Sequence, residues 1–317
     1  MSGLTVYYAS DIHGSELLWR KFLNAGPFYK ANILIMGGDV TGKGIVPIVE
    51  QPDGTHLATF MGRRTTLTTE DQIAALESDI RFNGMYPYRC RPEDVASAAN
   101  DPELQDALFD RMMERTFEHW LAIGDEKLAK SNLPCYVMPG NDDAWAIDRA
   151  FNPEHRVRNC DQQVIDIGEG YTLLSLGYAN RTPWDSPREL DEPDLASRID
   201  ALASTVGDMS RAIFNLHVPP YNSELDTAPL LDKELRPQYD AGQAVMVPVG
   251  STAVRAAVER YQPLLALHGH IHEAKGAKRI GRTLCLNPGS SYNAGRIDGV
   301  LVRLEDDRVK SSQFVSG

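Results

Sequence analysis

The sequence predicts an α/β protein, and three observations carry that prediction. Short apolar runs alternate with amphipathic helical patterns along most of the chain. The runs are rich in Val, Ile, Leu and Tyr, as strands buried on a sheet are. The aspartates, histidines and asparagine that could do chemistry stand where these runs stop, the edge at which α/β sheets collect ligands.

Taken in order, Leu4 to Ala9 reads as a buried strand. Ser15 to Ala25 reads as a helix: Leu17, Leu18, Phe22 and Leu23 share a face, and Gly26-Pro27 is expected to end it. Asn32 to Met36 is a second strand. The interval 41–131, about 90 residues, breaks the rhythm. Extended runs flank Pro52-Asp53-Gly54, which predicts a hairpin. Helices are expected over Thr69–Phe82 and Pro102–Lys130, with Gly124 as a break in the second. We read this interval as a mainly helical insertion within one domain spanning 1–317. Its length directly after Asp39 makes it a candidate wall or lid for a substrate. Arg63, Arg64 and Arg81 are its candidate anion contacts, set against an ordinary role as solvated charge.

The strand pattern resumes at Cys135–Met138, Thr172–Leu176, Ala212–Leu216, Leu264–Leu267 and Thr283–Leu286, and Val300–Leu304 closes it. Asn180 to Pro193 is irregular and holds Pro183, Pro187 and Pro193. Gly250 to Arg255 could open a helix whose N-terminus takes an anion, or carry an ordinary Ser/Thr cap. Trp184, Tyr221 and Tyr292 lie in loops, where they could stack on a base or simply pack.

The chain's 317 residues are 42% apolar and 24% charged, an ordinary globular composition. A formal net charge of −12 disfavours long nucleic acids but leaves room for a small phosphorylated substrate, since bound cations invert the local field. Cys90, Cys135, Cys160 and Cys285 form no CxxC pair and read as reduced, buried thiols. Met1 runs almost directly into the first strand, so no signal peptide is expected. No run of 18 apolar residues suggests a membrane span. The cytoplasm is the expected compartment, and the oligomeric state is not legible.

Five groups carry the chemistry: Asp11-Ile12-His13, Gly37-Gly38-Asp39, Gly140-Asn141-Asp142-Asp143, His217, and Gly269-His270-Ile271-His272. Singly each is ordinary. Asp11 could cap a helix, a Gly-Gly-Asp is often a turn, and a lone histidine is often a core residue. Together they are not ordinary, because five of the eight histidines, counting His268 as a supporting residue, fall at these strand ends. Two cations roughly 3.5–4 Å apart neutralise a phosphate ester and hold a hydroxide near neutral pH. Mixed imidazole and carboxylate ligands suit Mn, Fe or Zn, with Ni or Mg as in vitro substitutes. If the chain were extended there, Asp11/His13 and His270/His272 would each face one side.

The order DxH, GD, GN, H and GHxH resembles that of the calcineurin-like metallophosphoesterase superfamily. The resemblance covers Leu4 to about Asp39 and Pro134 to about Leu304, and includes Asn287-Pro288-Gly289-Ser290 after the last motif. It implies a four-layer α/β/β/α sandwich of two mixed sheets. It implies that Asp11, His13 and His272 hold one metal, that Asn141, His217 and His270 hold the other, and that Asp39 bridges them. Asn141, His217 and Asp142 are the expected catalytic residues. Asp142 is a departure, since many relatives have a histidine there; Asp143 matches the acidic residue that follows. An Asp142 beside cations should be ionised, unable to donate a proton and repelling towards phosphate. The expected activity is hydrolysis of a phosphate ester, tilted towards diesters. The alternatives are a phosphomonoesterase, nucleotidase or protein phosphatase, a nuclease for short oligonucleotides and, outside hydrolysis, a non-catalytic metal-binding scaffold.

Overall fold

A computed structural model describes residues 3–317; Met1 and Ser2, on which the signal-peptide expectation turns, lie outside the described residues. Two six-stranded mixed sheets form its centre. The first runs, from edge to edge, through Arg308–Ser316, Asp298–Glu305, Leu4–Ala9, Ile33–Met36, Cys135–Val137 and Val157–Asn159. The second runs through Gly276–Ile280, Thr283–Asn287, Leu265–Leu267, Ala212–Leu216, Thr172–Leu176 and Gln163–Asp166. Inner strands pair in parallel, as in Val6 with Ile33 and Ile213 with Leu265; antiparallel hairpins finish three of the four edges, and Val157–Asn159 closes the fourth in parallel with Cys135–Val137.

Alternation of side chains explains the layering. Leu4, Val6 and Tyr8 enter the core between the sheets, where they meet Leu173, Ile213 and Leu265. Tyr7 and Ala9 point the other way, into a core closed by the helices Glu16–Tyr29 and Pro102–Leu128. Beneath the second sheet, Leu174, Leu176 and Phe214 pack on the helices Glu192–Ala203 and Thr252–Tyr261. Strands buried on both faces read as continuous apolar runs, which is why the interior ones were visible in the sequence. The result is the four-layer α/β/β/α sandwich.

The first helix differs from expectation. Gly26 and Pro27 lie inside it, and Lys30 supplies the left-handed cap at φ 54°. Gly26 is there for contact: a Cβ on it would stand 2.2 Å from Leu133 Cδ2. Likewise Gly124 does not break the long helix but lets it approach Val157. That helix docks through Trp120, which stacks on Trp19 at 5.7 Å and whose carbonyl accepts the Trp19 indole N–H.

The expected hairpin exists, Ile45–Glu50 with His56–Phe60 turning at Gly54 (φ 80°). It belongs to a larger, four-stranded sheet with Arg63–Leu67 and Tyr86–Cys90, and a further helix spans Pro92–Ala99. A second excursion, Thr227–Pro248, is an antiparallel arm with Leu235, Tyr239 and Met246 exposed, and its residues follow no strand or helix period. The four cysteines are free and buried. Among the described residues, no helix is long and apolar enough to cross a membrane.

Candidate metal centre

The five motif groups meet at one edge of the sandwich, three from the first sheet and two from the second. Asp11 and His13 follow strand Leu4–Ala9, Asp39 follows Ile33–Met36, and Asn141 follows Cys135–Val137. From the other sheet come His217, after Ala212–Leu216, and His270 and His272, after Leu265–Leu267. Three overlapping groups of potential ligands result: Asp11, His13 and His272 in one, Asp39, His217 and His270 in another, and His13, Asp39 and Asp142 in a third, each with two buried members and one half-buried.

Extended alternation does not aim these side chains. Asp11, His13, Asp39 and His270 have φ values of 58°, 40°, 50° and 66°, in the left-handed region. Such a backbone costs roughly 1–3 kcal/mol per residue and persists only where the surroundings enforce it. Here they do. The N–H of His13 donates to Asp39 O and that of Asp11 to Gly38 O, at 3.0 and 2.9 Å. His270 and His272 therefore fall into different groups rather than sharing one side. Gly38, at φ 117°, admits the His217 ring; a Cβ would lie 2.5 Å from its Nδ1.

Lone pairs converge in the cluster. His13 Nε2 and His272 Nε2 lie 3.0 Å apart, and His272 Nε2 is 3.4 Å from Asp11 Oδ1. Asn141 Oδ1 sits 3.0 Å from His217 Nε2 and 2.7 Å from His270 Nδ1. The two Asp39 oxygens diverge: Oδ2 faces His13 Nε2 at 3.8 Å, and Oδ1 faces His217 Nε2 at 3.4 Å. His217 Nδ1 lies 2.8 Å from Gly37 O, which turns Nε2 inward. Buried nitrogens and carboxylate oxygens this close suit a divalent cation, which supplies the positive charge that all of them share.

The crowding of these groups also shifts their protonation equilibria. Burial pushes the Asp39 carboxyl up to about 6. Burial alone would lower His217, but Asp39 outweighs it and raises the imidazole to about 10. His270 falls to about 3, through burial and then repulsion by His217. Burial also holds His13 well below its ordinary value, leaving it a neutral donor of lone pairs. Asp11, though desolvated, is driven down by its hydrogen bond with His272.

Supporting residues lock the loops. Asp143, fully buried, accepts from the N–H groups of Val40, Thr41 and Gly140 at 3.0, 2.8 and 2.7 Å, joining two ligand loops. Arg188, also fully buried, donates to Asp143 O and Asp148 at 2.8 and 2.9 Å and lies over the Trp145 ring. Asn287 donates to Ile271 O, and Ser290 to Asp11 O. His268 is a support, its Nδ1 2.8 Å from Leu216 O.

Asp142 lies at the rim. Burial would raise its carboxyl, but Lys43, whose Nζ is 2.6 Å from Oδ2, outweighs that and lowers it. Ser186 Oγ and Asn141 Nδ2 hold Oδ1 at 2.8 and 3.0 Å. Lys43 therefore favours the charged form of the carboxylate and also covers that charge, so simple repulsion of phosphate does not follow. Lys43 escaped the sequence reading. Its signal was a lysine between Gly42 and Gly44, four residues past Asp39. Ser186 and Arg188 carried no signal.

Above the cluster opens a cleft of about 1470 Å³. Lys43, Asp106 and Phe109 from the 41–131 interval line one side, and Pro229, Leu231 and Leu235 of the arm line another. Trp184, Tyr221 and Tyr292 line it too, and the Tyr292 ring rests 4.6 Å from that of His13. Arg63, Arg64 and Arg81 do not line it; Arg81 pairs with Glu77. The helix beginning at Thr252 takes an anion from its own chain: Glu192 accepts from the Thr252 and Ala253 N–H groups, and Ser251 caps the helix.

No protein-family model matches the sequence. The chain is 28% identical over 167 residues to an uncharacterized protein of Methanocaldococcus jannaschii, MJ1162, covering 51% of this chain and 68% of that one. One solved structure superposes with a TM-score of 0.55 at 12% identity over 99% of both chains, which shows the fold to be a known one. An archaeal phosphodiesterase aligns over 99% of this chain and 100% of its own at 10% identity, with a TM-score of 0.34. YfcE, a phosphoesterase from E. coli, aligns over 98% of both chains at 12% identity, with a TM-score of 0.31.

Proposed function

We propose that the chain is a metallophosphoesterase of the calcineurin-like superfamily, hydrolysing a small phosphodiester with two divalent cations. One observation carries this reading: seven ligand-type side chains, from five loops and both sheets, converge at one edge of the sandwich, five of them buried and His270 and His272 half-buried. Asp11, His13 and His272 serve one ion, and Asn141, His217 and His270 the other. Asp39 serves both, because its two oxygens face different groups. Two cations so placed would neutralise the ester's charge and acidify a water for attack on phosphorus.

The chain's own part is positioning. Backbone N–H groups of Asp142 and His270 donate to Asp39 Oδ1 and Asp11 Oδ1, both at 3.0 Å, and aim those carboxylates. Asn141 Oδ1 stands 3.0 Å from His217 Nε2, so the two would serve the same ion. The ionised Asp142 cannot protonate a leaving group, which suits esters whose leaving groups are already stable anions. A cleft of about 1470 Å³ has room for substituents on both sides of a phosphate, which favours a diester. The ligand types favour Mn, Fe or Zn.

The test is a panel of monoester and diester substrates on metal-stripped protein, with Mn, Fe, Zn, Ni or Mg restored singly. We expect hydrolysis with a transition metal and faster turnover of diesters. No hydrolysis under any metal, or at most one bound ion per chain, would overturn the reading.

A further inference from the structure

We propose that the cleft takes phosphodiesters carrying an aromatic ring close to the phosphate, and that Trp184 is the residue that stacks on that ring. The inference rests on the phosphoesterase reading above and gives it a substrate class: a singly charged diester with one planar, uncharged substituent.

Four observations carry it. First, the cleft holds apolar surface that the fold leaves uncovered. Trp184, Tyr221 and Leu235 are 63%, 40% and 43% exposed, and all three line it. Exposed apolar groups gathered in one concavity mark a binding surface. Second, the tryptophan backbone is fixed although its ring is uncovered. Buried Glu189 accepts from the Thr182 hydroxyl and from the Thr182 and Ser186 N–H groups, the latter two at 2.8 and 3.1 Å. Thr182 Oγ1 in turn accepts from the Trp184 N–H at 3.2 Å. A ring displayed on a loop tied on both sides loses little freedom when a ligand stacks on it. Third, the ring stands beside the ligand cluster. Two residues on, Ser186 Oγ donates to Asp142 Oδ1 at 2.8 Å, and Asp142 groups with His13 and Asp39. Two residues of chain span at most about 7 Å, so a group stacked on Trp184 lies close to the phosphate. Fourth, the walls select for charge. Asp106, Asp110 and Glu273 line the cleft and repel a second negative charge. Arg181, a cation of the lining, is already engaged by Asp185 and Asp191.

Trp184 acts here through the face of its indole. A planar ring covers that face, whereas a puckered alicyclic group of similar bulk touches it at a few points. Tyr221, whose N–H donates to Ser251 O at 2.9 Å, and Leu235 extend the apolar wall of the same cleft. Stacking of this kind adds binding without touching the reacting bonds, so Trp184 sets specificity and takes no part in bond breaking.

The experiment measures binding of methylphosphinates to the Mn-loaded, full-length protein by titration calorimetry. The phosphinates carry an ethyl, cyclohexylmethyl or benzyl group, are singly charged, and have an uncleaved CH2 in place of the ester oxygen. Mn stoichiometry, melting temperature and sedimentation mass are recorded for every variant. The benzyl compound should bind roughly 5- to 150-fold more tightly than the ethyl one, the worth of one ring stacked on an aromatic side chain, and more tightly than the cyclohexylmethyl one. Trp184→Ala should erase that advantage and Trp184→Phe should keep part of it. Tyr239→Ala, which removes an exposed ring outside the cleft, should change nothing. A carboxylate added to the benzyl ring should weaken binding; equal or tighter binding would overturn the selection against charge. If the parent hydrolyses phosphoesters but binds the benzyl compound no better than the cyclohexylmethyl one, the aromatic subsite is overturned and the activity stands. If Trp184→Ala keeps the ring preference, the role of Trp184 is overturned, and a dimer lost in that same variant would assign the residue to a subunit contact instead. If the parent neither hydrolyses any phosphoester nor binds any phosphinate, both the subsite and the underlying function are wrong.

Discussion

Asp39 is the residue on which the two halves of the cluster turn, since each of its oxygens faces a different imidazole. Its replacement by Ala should empty both metal positions rather than one. Activity should then fall by more than the roughly 10–100-fold typical of losing an outer partner of a metal ligand. Elemental analysis of the reconstituted variant is the check; two ions retained per chain would refute it. Arg188 makes a second case. It is completely buried, its guanidinium bonded to Asp143 O and Asp148, with Asp161 3.7 Å away. Burial raises the Asp161 carboxyl even with Arg188 near, so removing the cation leaves an ill-matched acid in the interior. Arg188→Met should cost roughly 3–5 kcal/mol of stability, measured by urea unfolding. A loss below about 1 kcal/mol would show that the network is ornamental. The difference between these residues in the sequence is instructive. Asp39 announces itself by its place after an apolar run and two glycines. Arg188 sits in a proline-rich loop, and only the folded chain reveals that it is buried.

Among the elements, the arm Thr227–Pro248 is the most separable from the metal cluster. Leu230 N–H donates to Val245 O at 2.7 Å, so residues 231–244 can be replaced by an Asn-Gly turn across that pair. Metal content and turnover of a small chromogenic ester should stay within a few-fold. Discrimination between small and bulky esters should change, because Leu231, Leu235 and Pro237 leave the cleft wall. Unaltered preference across a graded substrate series would show the arm to be inert. The interior strands and the main helices were legible because burial on two faces, or along one stripe, writes itself into the order of apolar residues. The strand Arg308–Ser316 has mostly exposed side chains, and the arm is built from pairs of two or three residues, so neither leaves a period to read. Gly26 and Gly124 misled for a related reason. Their fitness for a helix is decided by Leu133 and Val157, far from them in sequence. The candidate site was legible at its seven ligand-type residues, which short motifs carry, and illegible at Lys43 and Ser186, which reach it only through loop packing.

At the scale of the molecule, the ligand cluster joins the sheets. Asp11, His13, Asp39 and Asn141 come from one, and His217, His270 and His272 from the other. Cations bound there would bind the folded form far better than the unfolded one. At 100 times the dissociation constant each ion is worth about 2.7 kcal/mol, so two ions raise the melting temperature by roughly 8 °C for a chain of this size. Stripping the metals with a chelator should therefore lower the melting temperature by that amount, and Mn should restore it. An unchanged melting curve in verified metal-free protein would separate the cluster from the fold's stability.

The pairing of Leu4 with Leu304 places the two ends of the described chain side by side in the first sheet. A nascent chain exposes Leu4–Ala9 long before Asp298–Glu305 exists to cover its flank. At translation rates of roughly 5–20 residues per second that interval lasts roughly 15–60 s. Throughout it, a strand of six residues with no charged side chain keeps one bare edge, the kind of edge that recruits other chains. His13 likewise waits for His272, 259 positions later. The first sheet and the ligand cluster are thus both completed only by segments made long after the strand and loop they join.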